Sequence, residues 1–286
     1  MKKLLLIPVI LLFLTGCEGL TNDFKDEYTT TTLYPIEYAT NQIYGKGANI
    51  RSIYPNDINT DKYSLTTKQK KNYAQSKTFI YGGIAKENDL AKDLLNLNNN
   101  LQIIDAMKGM SITTSIEELW LDPSNFLMIC RNIKEGLIDY SENVYTQKEI
   151  EKQYDKLKEK ISELDVDFYN LGKNGNYKSL LVSNDLFNYL NKYGIETISL
   201  NNKSSNIDKA YSSAKKLIDN KSVKYVYAVQ NEVLDDKLSE FISKNNLEII
   251  EIKTLKNISN ADSKDNEDYI SLIKEIINEY KKELYK

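Results

Sequence analysis

The stretch that decides the fold is TQKEIEKQYDKLKEKISELDVDFYNL, residues 146–171. It has neither proline nor glycine, and its apolar residues recur at helical spacing: Ile150, Tyr154, Leu157, Ile161, Leu164 and Phe168. Thr146 is followed three residues later by Glu149, the pattern of a capping box, which predicts that a helix begins there. A helix of about 26 residues is roughly 39 Å long, so this stretch predicts a stiff connector between two lobes.

Short apolar runs alternate with helical patterns on both sides of this connector. Before it, strands are predicted at 28–33, 48–53, 77–81 and 101–104, with helices at 35–44, 66–75 and 87–97. After it, strands are predicted at 179–182, 196–200, 223–229 and 247–252, with helices at 185–193, 207–219 and 234–244. Strands and helices that alternate at this spacing form βαβ units around a parallel sheet. The fold class is therefore α/β, with two similar lobes.

The chain closes with a further amphipathic helix that packs on a lobe. Its apolar residues follow a spacing of 3, 1, 3, 1 and 3 and are Tyr269, Leu272, Ile273, Ile276, Ile277 and Tyr280. The expected domains are an N-terminal lobe at 28–145, a linking helix at 146–172 and a C-terminal lobe at 173–286. Two lobes on one rigid helix enclose a cleft.

The N-terminus has the pattern of an exported lipoprotein. Two lysines precede an apolar run at 4–14, and the sequence LTGC follows at 14–17. These are the features of a secretory signal, and the run is shorter than the about 20 apolar residues of a membrane-spanning helix. In the bacterial lipoprotein pattern that this resembles, cleavage precedes the cysteine, whose thiol receives a lipid. We predict a signal peptide at 1–16, lipid (palmitate) on Cys17, a flexible stalk at 17–27 and an extracytoplasmic protein anchored to the cell membrane.

The net charge and the cysteine content limit which binding partners and which disulfides we expect. The chain has 38 basic and 41 acidic residues, and loss of the signal's two lysines leaves 36 against 41, a net charge of −5. Phosphate contacts need clustered positive charge, so we expect no nucleic-acid partner. With Cys17 lipidated, Cys130 has no disulfide partner. Cys130 follows Phe126 by four residues and precedes Ile133 by three, which predicts a buried core position.

Other motifs are best explained by local structure. Asp122 stands before Pro123, the pattern of an N-cap with proline at the first helical position. Gly82 and Gly83 follow a strand without the Lys-Ser/Thr of a phosphate loop, which predicts a turn. The chain has no histidine, which excludes Ser/His/Asp and Cys/His catalytic sets. No spacing singles out a pair of acids for glycoside hydrolysis, so we expect no enzyme.

Seven strings in chain order carry a resemblance to a known family. They are TTLYP at 31–35, IYP at 53–55 with the stretch to DKY at 61–63, FIYGG at 79–83, IDA at 104–106, WLDP at 120–123, FNYLNKYG at 187–194 and DYISL at 268–272. Together they resemble the solute-binding lipoproteins of zinc and manganese ABC importers over nearly the whole mature chain. The resemblance implies two α/β lobes joined by one long helix, a metal cleft between the lobes and an ABC permease as partner.

The same resemblance implies a ligand set. The family's ligands are usually three histidines and a carboxylate, and this chain has Asp61, Glu118 and Asn184 at the histidine positions. The acidic ligand falls near Glu232 or Glu267. Oxygen donors suit manganese, magnesium or calcium better than zinc, and about three negative charges that converge without a cation would repel one another. The expected cargo is a divalent metal ion of the manganese or zinc type.

Three interpretations of this cleft remain open at the level of sequence. It is an oxygen-rich metal site, a site for another small solute, or a cleft that has lost its metal. The first predicts a monomer that captures a divalent ion and passes it to the permease. The last predicts a surface lipoprotein on the same scaffold that serves adhesion or protein interaction. Three or more of the named oxygens meeting in one cleft would favour transport.

Overall fold

The described residues form two parallel four-stranded sheets, each flanked by helices. The computed structural model describes residues 27–45, 47–83, 85–201 and 206–286. The predicted signal peptide, Cys17 and all of the stalk except Glu27 lie outside these residues. Within them, no helix has both the length and the hydrophobicity that crossing a bilayer requires.

The N-terminal lobe contains the first sheet, in the order β2-β1-β3-β4 with all neighbours parallel. Its strands are β1 (Tyr28–Thr31), β2 (Asn49–Ser52), β3 (Thr78–Tyr81) and β4 (Gln102–Asp105). Its helices are α1 (Tyr34–Tyr44), α2 (Thr67–Tyr73), α3 (Ala85–Leu97), α4 (Glu118–Leu121) and α5 (Pro123–Asp139). All four residues of β3 are buried, as expected for a parallel strand covered on both faces.

The C-terminal lobe repeats this arrangement with the order β6-β5-β7-β8. Its strands are β5 (Ser179–Val182), β6 (Glu196–Ser199), β7 (Tyr225–Val229) and β8 (Glu248–Ile252). A 3₁₀ helix covers Asp185–Tyr193, and the α-helices that follow the linking helix are α7 (Ile207–Asp219), α8 (Asp236–Lys244), α9 (Asn260–Lys264) and α10 (Tyr269–Leu284). The predicted fold class, two α/β lobes on one long helix, is confirmed.

The linking helix, α6, runs from Val144 to Asn174 and is 31 residues long, or about 46 Å at ~1.5 Å per residue. The predicted capping box is wrong, because the N-cap is Asn143. Its side-chain oxygen accepts hydrogen bonds from the backbone N–H groups of Tyr145 and Thr146, at 2.8 and 3.3 Å. An asparagine is as good an N-cap acceptor as a threonine, so the helix begins two residues before the predicted start.

The apolar stripe of α6 belongs to a core that both lobes share. Five of the six predicted residues are buried, and Tyr154 packs against the same cluster. All six predicted apolar residues of α10 are buried as well. Smaller predictions are also confirmed: Asp122 caps α5 by accepting from the Ser124 N–H at 2.9 Å, Cys130 is fully buried, and Gly83 turns the chain with a φ of 65°. The two lobes are therefore parts of one packed body.

Candidate cation site between the lobes

Four of the five predicted site residues follow the carboxyl ends of strands. Asp61 comes after β2, Glu118 after β4, Asn184 after β5 and Glu232 after β7. Ligands of open α/β sheets bind in the crevice outside these strand ends. These four candidates therefore follow the strand ends where such a crevice would lie, and the question is which side chains meet there.

A segment of the C-terminal lobe crosses onto the N-terminal lobe at this edge. We call residues 254–260, which follow β8, the crossing loop. Backbone and side-chain hydrogen bonds tie it to the other lobe: Tyr34 N to Lys256 O at 3.2 Å, Asp57 N to Ile258 O at 3.1 Å, Asn257 Nδ2 to Pro55 O at 3.0 Å, Asn260 N to Asp57 Oδ2 at 3.0 Å and Trp120 Nε1 to Thr254 O at 2.6 Å. The crossing loop is thus fixed between the lobes.

Asp61, the first predicted ligand, is paired with the crossing loop. The Lys256 Nζ lies 2.7 Å from Asp61 Oδ1 and 3.5 Å from Glu117 Oε1. The Lys256 and Glu117 side chains are only 17% and 16% exposed, whereas Asp61 is 69% exposed. Two carboxylates of one lobe therefore hold a positive charge that the other lobe supplies.

The loop that carries Asp61 is shaped by its own polar groups. The Asn59 side-chain oxygen accepts from the N–H groups of Asp61 and Lys62, at 3.0 and 3.2 Å, which is an Asx turn. The Lys86 ammonium donates to the carbonyl oxygens of Thr60 and Asp61, at 3.0 and 3.1 Å. These bonds hold the Asp61 backbone while its carboxylate points to Lys256.

Glu118 is buried and bound within its own lobe. Its Oε1 accepts from the backbone N–H groups of Thr113 and Thr114, the latter at 3.2 Å, and its Oε2 accepts from the Thr114 hydroxyl at 3.0 Å. Backbone N–H groups are strong donors that must be satisfied when buried. The carboxylate therefore organises the turn that leads into α4.

Asn184 and Glu232 are the two candidates that the structure brings together. The Asn184 amide donates to Glu232 Oε1 at 2.9 Å, while its oxygen accepts from the Leu186 N–H at 2.9 Å and caps the 3₁₀ helix. Glu232 Oε2 accepts from the Ser183 hydroxyl at 2.5 Å and from the Val229 N–H at 3.0 Å. The result is a polar network inside the C-terminal lobe.

Glu267, the other acidic candidate, lies in the turn between α9 and α10. Its backbone N–H donates to the Asp262 carbonyl at 2.9 Å. Its carboxylate also acts on Tyr34 of the N-terminal lobe. Burial raises the pKa of the Tyr34 phenol, and nearby carboxylates raise it further, Asp268 most strongly and Glu267 among the others.

Of the five predicted ligands, only Asn184 and Glu232 share a hydrogen-bond network, and the other three lie in separate local networks: Asp61, Glu118 and Glu267. Among the described residues, three or more of the predicted oxygens do not meet. Within the described part of the chain, no group of three or more His, Cys, Asp or Glu side chains is placed to hold a metal ion. The sequence analysis missed Glu117 and Lys256. Glu117 had no signal beyond its place beside Glu118, and Lys256 lies in a polar loop without periodicity.

A buried acid, Glu87, lies close enough to Lys256 for the lysine's positive charge to affect the pKa of its carboxyl group. Its carboxylate is fully buried at the start of α3 and accepts from Gly82 N at 2.7 Å, Thr32 Oγ1 at 3.0 Å and Tyr54 OH at 3.5 Å. Burial raises the pKa of Glu87 to about 7, and the three hydrogen bonds and the positive charge of Lys256 limit the rise. Glu87 is thus a group that titrates near neutral pH.

This raised pKa makes stability depend on pH. Because the folded protein holds the proton more tightly than the unfolded chain, the stabilisation is complete below pH 4.5 and is lost as the pH rises through 7. Between pH 5 and pH 8 the unfolding free energy of the wild type should fall by about 2 to 3 kcal/mol because of Glu87, and Glu87→Gln should lack this part of the decrease. Urea unfolding at both pH values measures the two free energies. Glu159→Gln, on the exposed face of α6, should keep the wild-type slope; an unchanged slope in Glu87→Gln would contradict the prediction.

The fold and the cleft together define a class of protein. Two parallel α/β lobes on one long helix, with charged side chains at the strand ends between them, form a two-lobed solute-binding protein. Residues 30–283 match the model of the ZnuA family, described as zinc-uptake complex component A, periplasmic. The chain belongs to this family, whose members are binding proteins of transporters rather than enzymes.

Individual relatives are similar over most of the chain. The zinc-binding lipoprotein AdcA of Streptococcus pneumoniae R6 is 23% identical over 301 residues, which cover 96% of this chain and 59% of AdcA. The chain thus spans about three-fifths of that relative. The Zn(II)-bound ZnuA-like domain of S. pneumoniae AdcA has a TM-score of 0.71 at 21% identity, covering 91% of this chain and 99% of the domain. The metal-dependent lipoprotein YcdH of Bacillus subtilis has a TM-score of 0.74 at 18% identity, covering 90% and 98%.

Proposed function

We propose that this protein is the extracytoplasmic solute-binding lipoprotein of an ABC importer. It captures a divalent cation of the manganese or zinc type in the cleft and delivers it to the permease. Family membership supports the role, and the similarity to a zinc-binding lipoprotein supports the class of cargo. The lipid proposed on Cys17 keeps the monomeric receptor at the membrane, where the permease lies.

The observation that carries this proposal is the positive charge held between the lobes. Asp61 and Glu117 bind the Lys256 ammonium at the strand ends, so this part of the cleft attracts cations. The proposed ligands are Asp61, Glu118 and Asn184 with Glu232 or Glu267. Their oxygens favour manganese over zinc. Ligation by this set requires Asp61 to leave Lys256 and Glu118 to give up part of its bonding to residues 113–114.

Thermal unfolding of the unlipidated protein with manganese, zinc or calcium tests the proposal. A ligand at 100 times its Kd stabilises the native state by about 2.7 kcal/mol, which for a chain of this size raises the Tm by roughly 5 °C or more. We expect such a shift with at least one ion. Asp61→Asn should weaken binding, measured by calorimetry, and the control Asp139→Asn at the exposed end of α5 should not. The absence of any shift well above micromolar concentrations would refute metal capture.

A further inference from the structure

Lys256 has a role that goes beyond holding the lobes together. We propose that Lys256 is a tethered competitor of the cargo: its ammonium occupies the carboxylates of Asp61 and Glu117, and a cation binds in the cleft only by displacing it. This inference rests on the proposed function, because Asp61 is one of the proposed ligands. Under this proposal, the affinity of a cation for the cleft is lowered by the free energy needed to displace Lys256 from the two carboxylates.

The backbone that carries the ammonium is held in place. The Lys256 carbonyl accepts from the Tyr34 N–H at 3.2 Å, and hydrogen bonds from Trp120 to Thr254 and from Asn257 to Pro55 fix both sides of it. The long, flexible side chain is then the part that can move. Displacement therefore needs a rotation of the Lys256 side chain and no opening of the lobes.

The charges around Lys256 explain why a divalent ion can compete. Asp61 and Glu117 together carry two negative charges, and the ammonium supplies one positive charge. Lys256 also lies near enough to Glu87 that its charge limits the rise in pKa that burial causes there. A divalent ion neutralises both carboxylate charges. It also contacts oxygens at about 2.0 to 2.6 Å, closer than the 2.7 Å between the Lys256 nitrogen and the Asp61 oxygen.

Tethering gives the ammonium a different advantage. Lys256 is already in the cleft, so it loses no translational freedom on binding the carboxylates, whereas a free ion does. A monovalent cation offers the same charge as Lys256 without that advantage and is excluded. The competitor thus makes the cleft selective for ions of higher charge.

Removal of the ammonium is the direct test. We expect Lys256→Met to bind manganese, zinc or calcium about tenfold more tightly than the wild type in calorimetric titrations, a factor that corresponds to about 1.4 kcal/mol. Lys256→Arg keeps a positive charge and should bind no more tightly than the wild type. Lys264→Met, on exposed α9, changes the net charge equally and should leave the affinity within about twofold, which excludes a long-range charge effect.

A second measurement uses the unaltered protein, so it does not depend on how a variant folds. Acylation of lysines by an activated ester, followed by peptide mass spectrometry, reports the accessibility of each amine. Lys256 should react slowly without metal and faster with saturating manganese, because displacement frees its ammonium. Lys264 should react at one rate in both conditions. Binding of manganese without faster reaction of Lys256 would overturn the inference.

The outcomes separate this inference from the proposed function. If the wild type and Lys256→Met bind an ion equally well, the competitor role is refuted and metal capture stands. If only Lys256→Met binds, the competitor role is supported and metal capture by the wild type is refuted. If neither binds manganese, zinc or calcium, both fail.

Discussion

Gly172→Ala is expected to destabilise the protein by about 3 kcal/mol or more, because the linking helix touches the C-terminal lobe at this residue. A Cβ atom here would lie 1.8 Å from the Tyr193 carbonyl oxygen and 2.9 Å from its carbon. Both atoms belong to the backbone, so no side-chain rotation relieves the clash. Alanine normally stabilises a helix interior by about 1 kcal/mol relative to glycine, but this gain is smaller than the cost of moving α6 away from Tyr193.

Urea unfolding followed by circular dichroism measures this loss. Asn170→Ala, two residues earlier on the exposed face of α6, is the matched control, because it adds the same favourable helix former without a clash. That variant should be neutral or slightly more stable. Equal stability of Gly172→Ala and the wild type would show that α6 can move away from Tyr193 without loss of packing.

Gly172 lies within the linking helix, two residues before its last residue. The predicted domain boundary placed the end of this helix at 172. The structure continues the helix to Asn174. At this position the absence of a side chain lets the helix backbone approach the backbone of Tyr193 closely. That role depends on a contact with the 193–195 segment, which no local pattern indicates.

The fold itself was predictable because its signals are local. Apolar residues at helical spacing define α6 and α10, and short apolar runs define the buried strands. The family resemblance pointed to Asn184 and Glu232, which follow β5 and β7, two strands that are adjacent in the sheet. Those two side chains do meet.

The partners of the other candidates were not predictable by the same means. Lys256 meets Asp61 across 195 positions of sequence, and the crossing loop that carries Lys256 has no periodic pattern. Glu117 and Glu118 are adjacent at the start of a four-residue helix, too short for a periodic pattern to decide which faces the cleft. Their different roles follow from the 113–114 turn, which binds one carboxylate and leaves the other for Lys256. Side-chain pairing between distant loops depends on how the lobes pack together.

Trp120→Ala is the second change with a large expected effect, a loss of about 3 to 5 kcal/mol. Trp120 is fully buried, and its Nε1 donates to the Thr254 carbonyl of the crossing loop at 2.6 Å. Its own carbonyl accepts from the Tyr269 hydroxyl at the start of α10. Truncation leaves a cavity and an unpaired Thr254 carbonyl, so both the packing and the attachment of the crossing loop are weakened.

Trp120→Phe separates the two contributions, because it keeps most of the apolar volume and removes the N–H donor. We expect it to cost about 1 to 3 kcal/mol, the penalty for a buried acceptor left without its partner. Circular dichroism must follow the unfolding, since Trp120 is the single tryptophan and its replacement removes the tryptophan fluorescence. If Trp120→Ala costs no more than Trp120→Phe, the ring contributes little through packing. If neither variant loses stability, the Trp120 contact does not hold the crossing loop, and the position of Lys256 would depend on the hydrogen bonds of that loop to Tyr34, Pro55 and Asp57.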